Sequence, residues 1–421
     1  MAAKYKIMWL CNTLIPEMTT KCGIENFKAE SWISAAYDKV KSKKEYELIY
    51  LFPYKKYVES ENGKDKFVSY IQKNQYDYEE SQVNEFKDYI KKYKPDVIHI
   101  FGTEYAHTYA MVQAADELKC VQKIVISIQG LVYICSLHYC AGLSDRVTHR
   151  YTFRDFLRRD RIIDQKYNFE RRGKFEIAAL EKVQHVIGRT DWDYATTHQI
   201  NPNINYHFCS ETLRTSFYAN KWNLDSCEKH TIFVSQASYP LKGFHYMLEA
   251  LMIILKFYPD THIYTTGRNP MAVNFKQKIR QNGYNKYLND LIIKNNLQDK
   301  VTFLGVLNEK EMCERYLKSH VFVSCSSIEN SSNSIGEARI LGMPVVASYV
   351  GGTRFVTQGE DGLCYQADAP YMLAYRVCQV FDNDEQAVKM GNTARQRALI
   401  EHNPEKNFQK LLEIYKEVQR A

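Results

Sequence analysis

Val321 to Gly352 reads VFVSCSSIENSSNSIGEARILGMPVVASYVGG, and the fold follows from it. Val321–Ser324 is a β-branched and aromatic run of the kind that fills a buried parallel strand. A polar loop follows, carrying Glu329 and four small hydrogen-bonding residues, Asn330 to Asn333. Ser332, Asn333 or Ser334 is suited to N-cap a helix over Ile335–Leu341, which Gly342 and Pro344 then stop. Pro-Val-Val-Ala starts the next strand. Strand, loop, helix and strand make a βαβ unit, and open α/β sheets bind ligands at the carboxyl ends of their strands. The helix start directs free N–H groups and a positive dipole end at that loop, a ready place for phosphate. Glu329 and Glu337 frame it with carboxylates. An anion site rimmed by acids suits a molecule that carries phosphates and hydroxyls, and a nucleotide sugar is one.

Moving outward, Thr231–Ser235 reads as a strand and Phe244–Phe257 as a helix, with Gln236 and Lys242-Gly243 between them. A lysine at a helix start opposes the dipole, which is easier to explain if it meets an anion. Thr261–Thr265 and Val301–Leu304 are further strands, ending in Gly267 and Gly305. Helices are expected over Tyr287–Asn296, Glu309–Ser319, Ala369–Phe381 and Asp384–Glu401. The terminal helix Glu405–Val418 places Phe408, Leu411, Leu412 and Tyr415 on one face.

The first half alternates in the same way. Ile7–Cys11, Tyr46–Phe52, Pro95–Phe101, Lys123–Ile128, Val183–Thr190 and Tyr206–Cys209 read as strands. Helices are expected over Glu25–Val40, over Asn84–Tyr93, from His107, and over Trp192–Gln199. Gly23 in the first loop is either a backbone approach to a ligand or a plain helix-start glycine. Arg146 to Lys174 holds ten basic and four acidic residues, with Tyr151, Phe153, Phe156, Leu157, Ile162 and Ile163 interspersed. Three readings stay open: a basic amphipathic face on an anionic lipid surface, an acceptor site for a pyrophosphate or acidic sugar, and a solvated helix with internal ion pairs such as Arg150–Asp155.

Composition bounds these readings. The chain has 421 residues, 45% apolar and 25% charged, enough for two or three domains with sizeable cores. The formal charge of +7 and pI near 8.6, with no nucleic-acid motif, disfavour nucleic acid. Eleven cysteines without a C-x-x-C pair or a secretory signal suggest a cytoplasmic protein with reduced thiols. No zinc site is indicated, and Cys135 and Cys140 are read as packing residues. No G-x-G-x-x-G opens a sheet, which disfavours a dehydrogenase.

Glu329 and Glu337 are separated by seven residues and followed by Ala338, Gly342, Pro344-Val345-Val346 and Gly351-Gly352. This resembles the E-x7-E signature of retaining glycosyltransferases of family 4, in particular members that assemble bacterial polysaccharides. The resemblance is close over roughly 232–365 and looser before it. It implies an α/β fold of the GT-B architecture, two Rossmann-like domains facing a cleft, with a C-terminal helix crossing back. The expected division is 1–218 as acceptor domain, 219–230 as linker, 231–402 as nucleotide-sugar domain, and 403–421 as the returning helix. The implied activity is metal-independent hexosyl transfer from a nucleoside diphosphate sugar, UDP- or GDP-linked, to a saccharide or lipid-linked glycan. No cofactor and no metal are expected, and the location is cytoplasmic or peripheral at the inner membrane leaflet through residues 146–174.

The resemblance also implies roles. Glu329 positions the donor hexose, and Glu337 accepts hydrogen bonds from the ribose. Lys242 and the N–H groups around Ser332, Asn333, Ser334 and Ile335 hold the diphosphate. Gly23 lets the backbone approach it. Gln236 stands where the family's R-x5-K-G element has its arginine, and Arg189, Arg268 or Arg354 would substitute, Arg189 first. Gln129 stands in place of a family histidine; it can bond a sugar hydroxyl but not act as acid or base. The rival readings are a GT-B epimerase using Glu104 and His107, and a binding protein that closes on a sugar without chemistry.

Overall fold

A computed structural model describes residues 5–24, 33–72, 74–271, 274–353 and 360–420. The expected helix start at Glu25 and the candidate cation Arg354 lie outside them. The chain divides into two compact units. The first comprises Met1–Ile134, Glu170–Leu213 and His402–Ala421, and the second Cys135–Phe169 and Arg214–Glu401.

The first unit is built on eight strands: β1 (Tyr5–Leu10), β2 (Tyr46–Tyr54), β3 (Glu59–Asn62), β4 (Asp65–Ile71), β5 (Val97–Phe101), β6 (Ile124–Ser127), β7 (His185–Gly188) and β8 (Asn205–Phe208). Their order is β3-β4-β2-β1-β5-β6-β7-β8, parallel except for the β3–β4 pair. Every residue of β5 is buried, as expected for a strand covered on both faces. Side chains of β1 alternate between two cores: Met8 and Leu10 join one, Ile7 and Trp9 the other. The C-terminal helix Pro404–Arg420 completes the second core with Phe408, Leu412, Ile414, Tyr415 and Val418. Its Tyr415 hydroxyl accepts from Trp9 Nε1 at 2.9 Å and pairs with His99 Nδ1 at 2.7 Å. The hairpin β3–β4 was not anticipated. Glu59–Asn62 is a short polar edge strand without apolar alternation, and Gly63, at φ 65°, makes the turn.

The second unit holds β9 (Glu228–Val234), β10 (His262–Thr265), β11 (Val301–Phe303), β12 (Ser319–Ser324), β13 (Val345–Ser348) and β14 (Leu363–Tyr365), all parallel, in the order β11-β10-β9-β12-β13-β14. The central strand β12 is buried throughout.

The observed division departs from the expected one in two places. Cys135–Phe169 packs within the second unit, not the first. There His245 Nε2 meets the Ala141 carbonyl at 3.2 Å and Arg150 donates to Asp290 Oδ2 at 2.8 Å, not to Asp155. A Cβ on Gly283 would lie 3.2 Å from Asp155 Oδ2, a close approach between the two segments. The expected linker is also part of the second unit. Trp222, 5% exposed, donates its ring N–H to the Ser319 carbonyl at 2.8 Å, and burial of that ring fixes the segment. The poor periodicity there reflects irregular packed chain.

Candidate functional site

The site in the second unit starts from two glycines that let loops close. After β9 the chain turns through Pro240–Lys242 into the helix Phe244–Ile254. Gly243 sits at φ 63°, and a Cβ there would fall 1.8 Å from the Cys325 carbonyl oxygen. Only glycine permits that approach. It brings the lysine turn against the end of β12, where Ser327 N–H donates to the Leu241 carbonyl at 2.8 Å. After β13, Gly351 at φ 49° would place a Cβ 2.0 Å from the Glu329 carbonyl, and Gly352 N–H donates to that carbonyl at 3.0 Å. The Lys-Gly and Gly-Gly pairs therefore grip the Glu329 loop from its two sides.

Lys242 Nζ forms an ion pair with Glu329 Oε1, which also accepts from Ser326 Oγ at 2.7 Å. Burial pulls the Lys242 ammonium down, but Glu329 and the nearby Tyr239 outweigh it, and the net shift is upward. The lysine stays charged. Beyond the loop, Ser332 N-caps the helix Asn333–Leu341 without a capping side-chain bond, and its Oγ lies 3.0 Å from Ser334 Oγ. Ile335 is buried, and Asn330 is only 6% exposed.

Glu337 is 4% exposed. Its two oxygens accept from Arg214, Nε to Oε1 at 2.6 Å and Nη2 to Oε2 at 2.7 Å. Burial pushes its carboxyl up against the pull of that guanidinium. The bidentate pair holds Glu337 in one orientation. Each of its oxygens retains a second lone pair for a hydroxyl. Arg214 was missed in the sequence, since nothing local links it to an acid 123 positions away.

The structure thus assembles Lys242, Glu329, Ser332, Asn333, Ser334, Ile335 and Glu337 at one sheet edge of the second unit. Gln236 is half-buried after β9, and Arg268 is exposed.

The remaining expected residues stand in the first unit. Arg189, 5% exposed, pairs with Glu211 Oε2 at 3.0 Å and donates to the Ile128 carbonyl at 3.2 Å. Gln129 donates Nε2 to Glu211 Oε1 at 2.6 Å. Arg189 as a substitute for the arginine missing at Gln236 is therefore an ion-paired residue of the other unit. Glu211 was not anticipated either, because 129, 189 and 211 meet only through the strand order. Gly23 is in the left-handed region at φ 62°, with open space where a Cβ would be. It follows the helix Pro16–Lys21 and makes the turn there.

His107 is fully buried, bonded through Nδ1 to Tyr70 Oη at 3.2 Å, and burial lowers its pKa to about 3. A core imidazole kept neutral is a poor acid/base group, which counts against the epimerase reading. Among the described residues one His/Glu group has metal-ligand proximity, His185, His207 and Glu417 of the first unit. No described helix is long and apolar enough to cross a membrane.

Residues 215–397 match the family model described as glycosyl transferases group 1, a range lying within the second unit's Arg214–Glu401. Over 178 residues, 42% of this chain, the sequence is 27% identical to a D-inositol 3-phosphate glycosyltransferase of Corynebacterium urealyticum. That match spans 40% of the relative's length, so this chain covers less than half of it. Among solved structures, sucrose-phosphate synthase from Thermosynechococcus elongatus is similar with a TM-score of 0.70 at 16% identity, covering 99% of each chain. Anabaena HepE in complex with UDP and glucose is similar with a TM-score of 0.65 at 12% identity, covering 98% of this chain and 99% of that one. Two parallel-sheet α/β units with these likenesses make the fold a GT-B architecture, and its second unit carries the sequence likeness to glycosyltransferases.

Proposed function

We propose that the protein is a retaining glycosyltransferase of the family 4 type. It moves a hexosyl group from a nucleoside diphosphate sugar to a saccharide or lipid-linked glycan. One observation carries this reading. Lys242 and Glu329 form a buried-edge ion pair beside the start of the helix Asn333–Leu341, in the segment that matches group 1 glycosyl transferases.

Lys242 and the N–H groups at Ser332–Ile335 bind the donor diphosphate. As Lys242 turns to the phosphate, Glu329 is released to accept hydrogen bonds from the hexose hydroxyls. Glu337, oriented by Arg214, accepts from the ribose. The bond from the anomeric carbon to the phosphate oxygen breaks while the acceptor oxygen bonds that carbon on the same face. The acceptor proton passes to the departing phosphate oxygen, so no protein base and no metal enter the step. Lys242 stabilises the negative charge that develops on the leaving group.

We further propose that the acceptor is met at an anionic membrane surface on the cytoplasmic side. In the helix Phe153–Arg158, the exposed Phe153, Phe156 and Leu157 share one side at spacings of three and four, and the exposed Arg158 and Arg159 flank them. Cosedimentation with phosphatidylglycerol vesicles but not phosphatidylcholine vesicles, lost in Phe156→Ser/Leu157→Ser, checks this part.

The activity is tested by incubating the chain with UDP- and GDP-hexoses and a panel of saccharide and lipid-linked acceptors and following anomeric signals by proton NMR. Transfer of the hexose to an acceptor with its anomeric configuration kept in the glycoside, abolished in Glu329→Ala, is expected. Inverted product would overturn the retaining mechanism, and no turnover of any donor would overturn the activity.

A further inference from the structure

We propose that Glu104 is a saccharide-binding residue of the first unit, accepting hydrogen bonds from the hydroxyls of a neutral sugar. That this sugar is the acceptor rests on the transfer reading above. The site itself rests on the topology of the first sheet and on the seat of one carboxylate.

An open parallel sheet offers a crevice where its strand order reverses, outside the carboxyl ends of the two strands that flank the reversal. In the second unit the chain runs from β9 outward through β10 and β11, and from β12 the other way through β13 and β14. Lys242 follows β9 and Glu329 follows β12, so the proposed donor residues stand at that reversal. In the first unit β2 and the β3–β4 hairpin lie to one side of β1, while β5 leads through β6 and β7 to β8 on the other. The reversal there lies between β1 and β5. The loop after β5, Gly102 to Tyr105, bridges it. The Tyr105 hydroxyl is hydrogen-bonded to Asn12, two residues past β1, and Thr103 Oγ1 donates to the Gly130 carbonyl past β6 at 3.1 Å.

Glu104 has a built seat in that loop. Gly102, at φ 88°, would place a Cβ 2.0 Å from Glu104 Oε2, so a side chain at 102 would displace the carboxylate. A Cβ on Gly130 would lie 3.7 Å from Oε1. The carboxylate therefore lies over the ends of β5 and β6. Arg172 Nε donates to the Glu104 main-chain carbonyl at 2.8 Å, which fixes the backbone. The carboxylate itself is half-buried and accepts from the main chain at Glu104 and Gly130. No described residue forms an ion pair with it, and Arg189, whose field reaches it, is paired with Glu211. Glu211, Glu329 and Glu337 each have a cationic partner, and Glu104 does not. A carboxylate offers about four acceptor positions, so two main-chain donors leave room for hydroxyls. A carboxylate without a paired cation disfavours phosphate and favours neutral hydroxyl donors. The crevice thus suits a neutral polyol, as the lysine turn of the second unit suits a diphosphate.

The full-length chain is tested by saturation-transfer difference NMR with the methyl glycosides of glucose, galactose, mannose and N-acetylglucosamine, without nucleotide. At least one should bind, weakened about 10–100-fold in Glu104→Ala and Glu104→Gln, and inorganic phosphate should not compete. Glu104→Asp, which keeps the charge but withdraws it by one methylene, should also weaken binding. No glycoside bound by the parent chain, equal binding in the variants, or displacement by phosphate would overturn the proposal. A fall in Tm of Glu104→Gln that accounts for its lost binding would make Glu104 a brace of its loop and overturn it as well. Titration of UDP and GDP keeps the two readings apart. Glycoside binding through Glu104 in a chain that binds neither nucleotide would refute the transfer reading alone, and nucleotide binding without glycoside binding would refute this one alone.

Discussion

The carboxyl edges of the two sheets solve the same electrostatic problem differently. In the second unit, Glu329 and Glu337 stand eight positions apart on one loop and helix, and each has one cationic partner, Lys242 and Arg214. In the first unit, Arg189 is enclosed by Glu211, the Ile128 carbonyl and Gln129. Lys242 is held by an acid that itself has a proposed ligand, so the pair is exchangeable. Arg189 is held by an acid that is also bridged to Gln129, with His402 bonded to its backbone carbonyl at 2.9 Å, so the cluster fixes loop geometry. A charge close to a helix start is a recognition element only where its counter-ion can be displaced.

This contrast can be broken by removing one partner at a time. The largest effect is expected for Arg214→Ala, which leaves Glu337 as an uncompensated buried carboxylate and costs about 3–5 kcal/mol. In a domain of this size that lowers Tm by about 10 °C, read by calorimetry. Arg214→Met combined with Glu337→Leu should recover most of it, while destroying nucleotide binding. Next, Lys242→Ala should lower kcat/KM for the donor by about 10²–10³-fold through lost charge stabilisation, with a much smaller change in Tm. Equal losses of stability and activity would mean that Lys242 is a structural residue like Arg189.

Glu211→Gln sharpens the other side. It leaves Arg189 buried without a counter-ion and should cost about 1–3 kcal/mol while sparing nucleotide binding. Denaturant unfolding and calorimetric titration separate the two outcomes.

A smaller effect is expected from Glu176. Its carboxyl is buried, with Oε2 accepting from Val132 N–H at 2.6 Å and Oε1 unpartnered. Burial, reinforced by Glu104, holds its pKa well above the usual carboxylate range. The folded state therefore keeps the proton longer than the unfolded chain. The stability that this provides is full below the unfolded pKa and is lost as pH rises through the folded pKa. Glu176→Gln should flatten that part of the stability profile. The smallest effect is Lys39→Ala, whose pair with Glu405 at 2.6 Å is exposed on both sides and should change stability by less than about 0.5 kcal/mol.

The elements with strong periodicity were legible from sequence because a buried parallel strand and an amphipathic helix leave local patterns. Val321–Ser324 and the helix before Gly342 are such cases, as is the apolar face of the terminal helix. The lysine turn and the Glu329 loop were legible because glycine marks each close approach. The unit boundaries were not. Cys135–Phe169 leaves the first unit and returns, and only tertiary contacts such as Arg150–Asp290 record where it packs. The polar edge strand Glu59–Asn62 carried no apolar signal. The partners Arg214 and Glu211 were invisible for a related reason: an ion pair between residues distant in sequence leaves no spacing to read.

The central claim is that the second unit binds a nucleoside diphosphate through Lys242 and Glu337. Isothermal titration calorimetry of UDP and GDP into the chelator-treated chain tests it most directly, run beside Lys242→Ala and Glu337→Gln. The account predicts one site per chain for one of the two nucleotides without added metal, weakened at least about 10-fold in each variant. Binding that is unchanged in both variants, or no binding of either nucleotide, would contradict it.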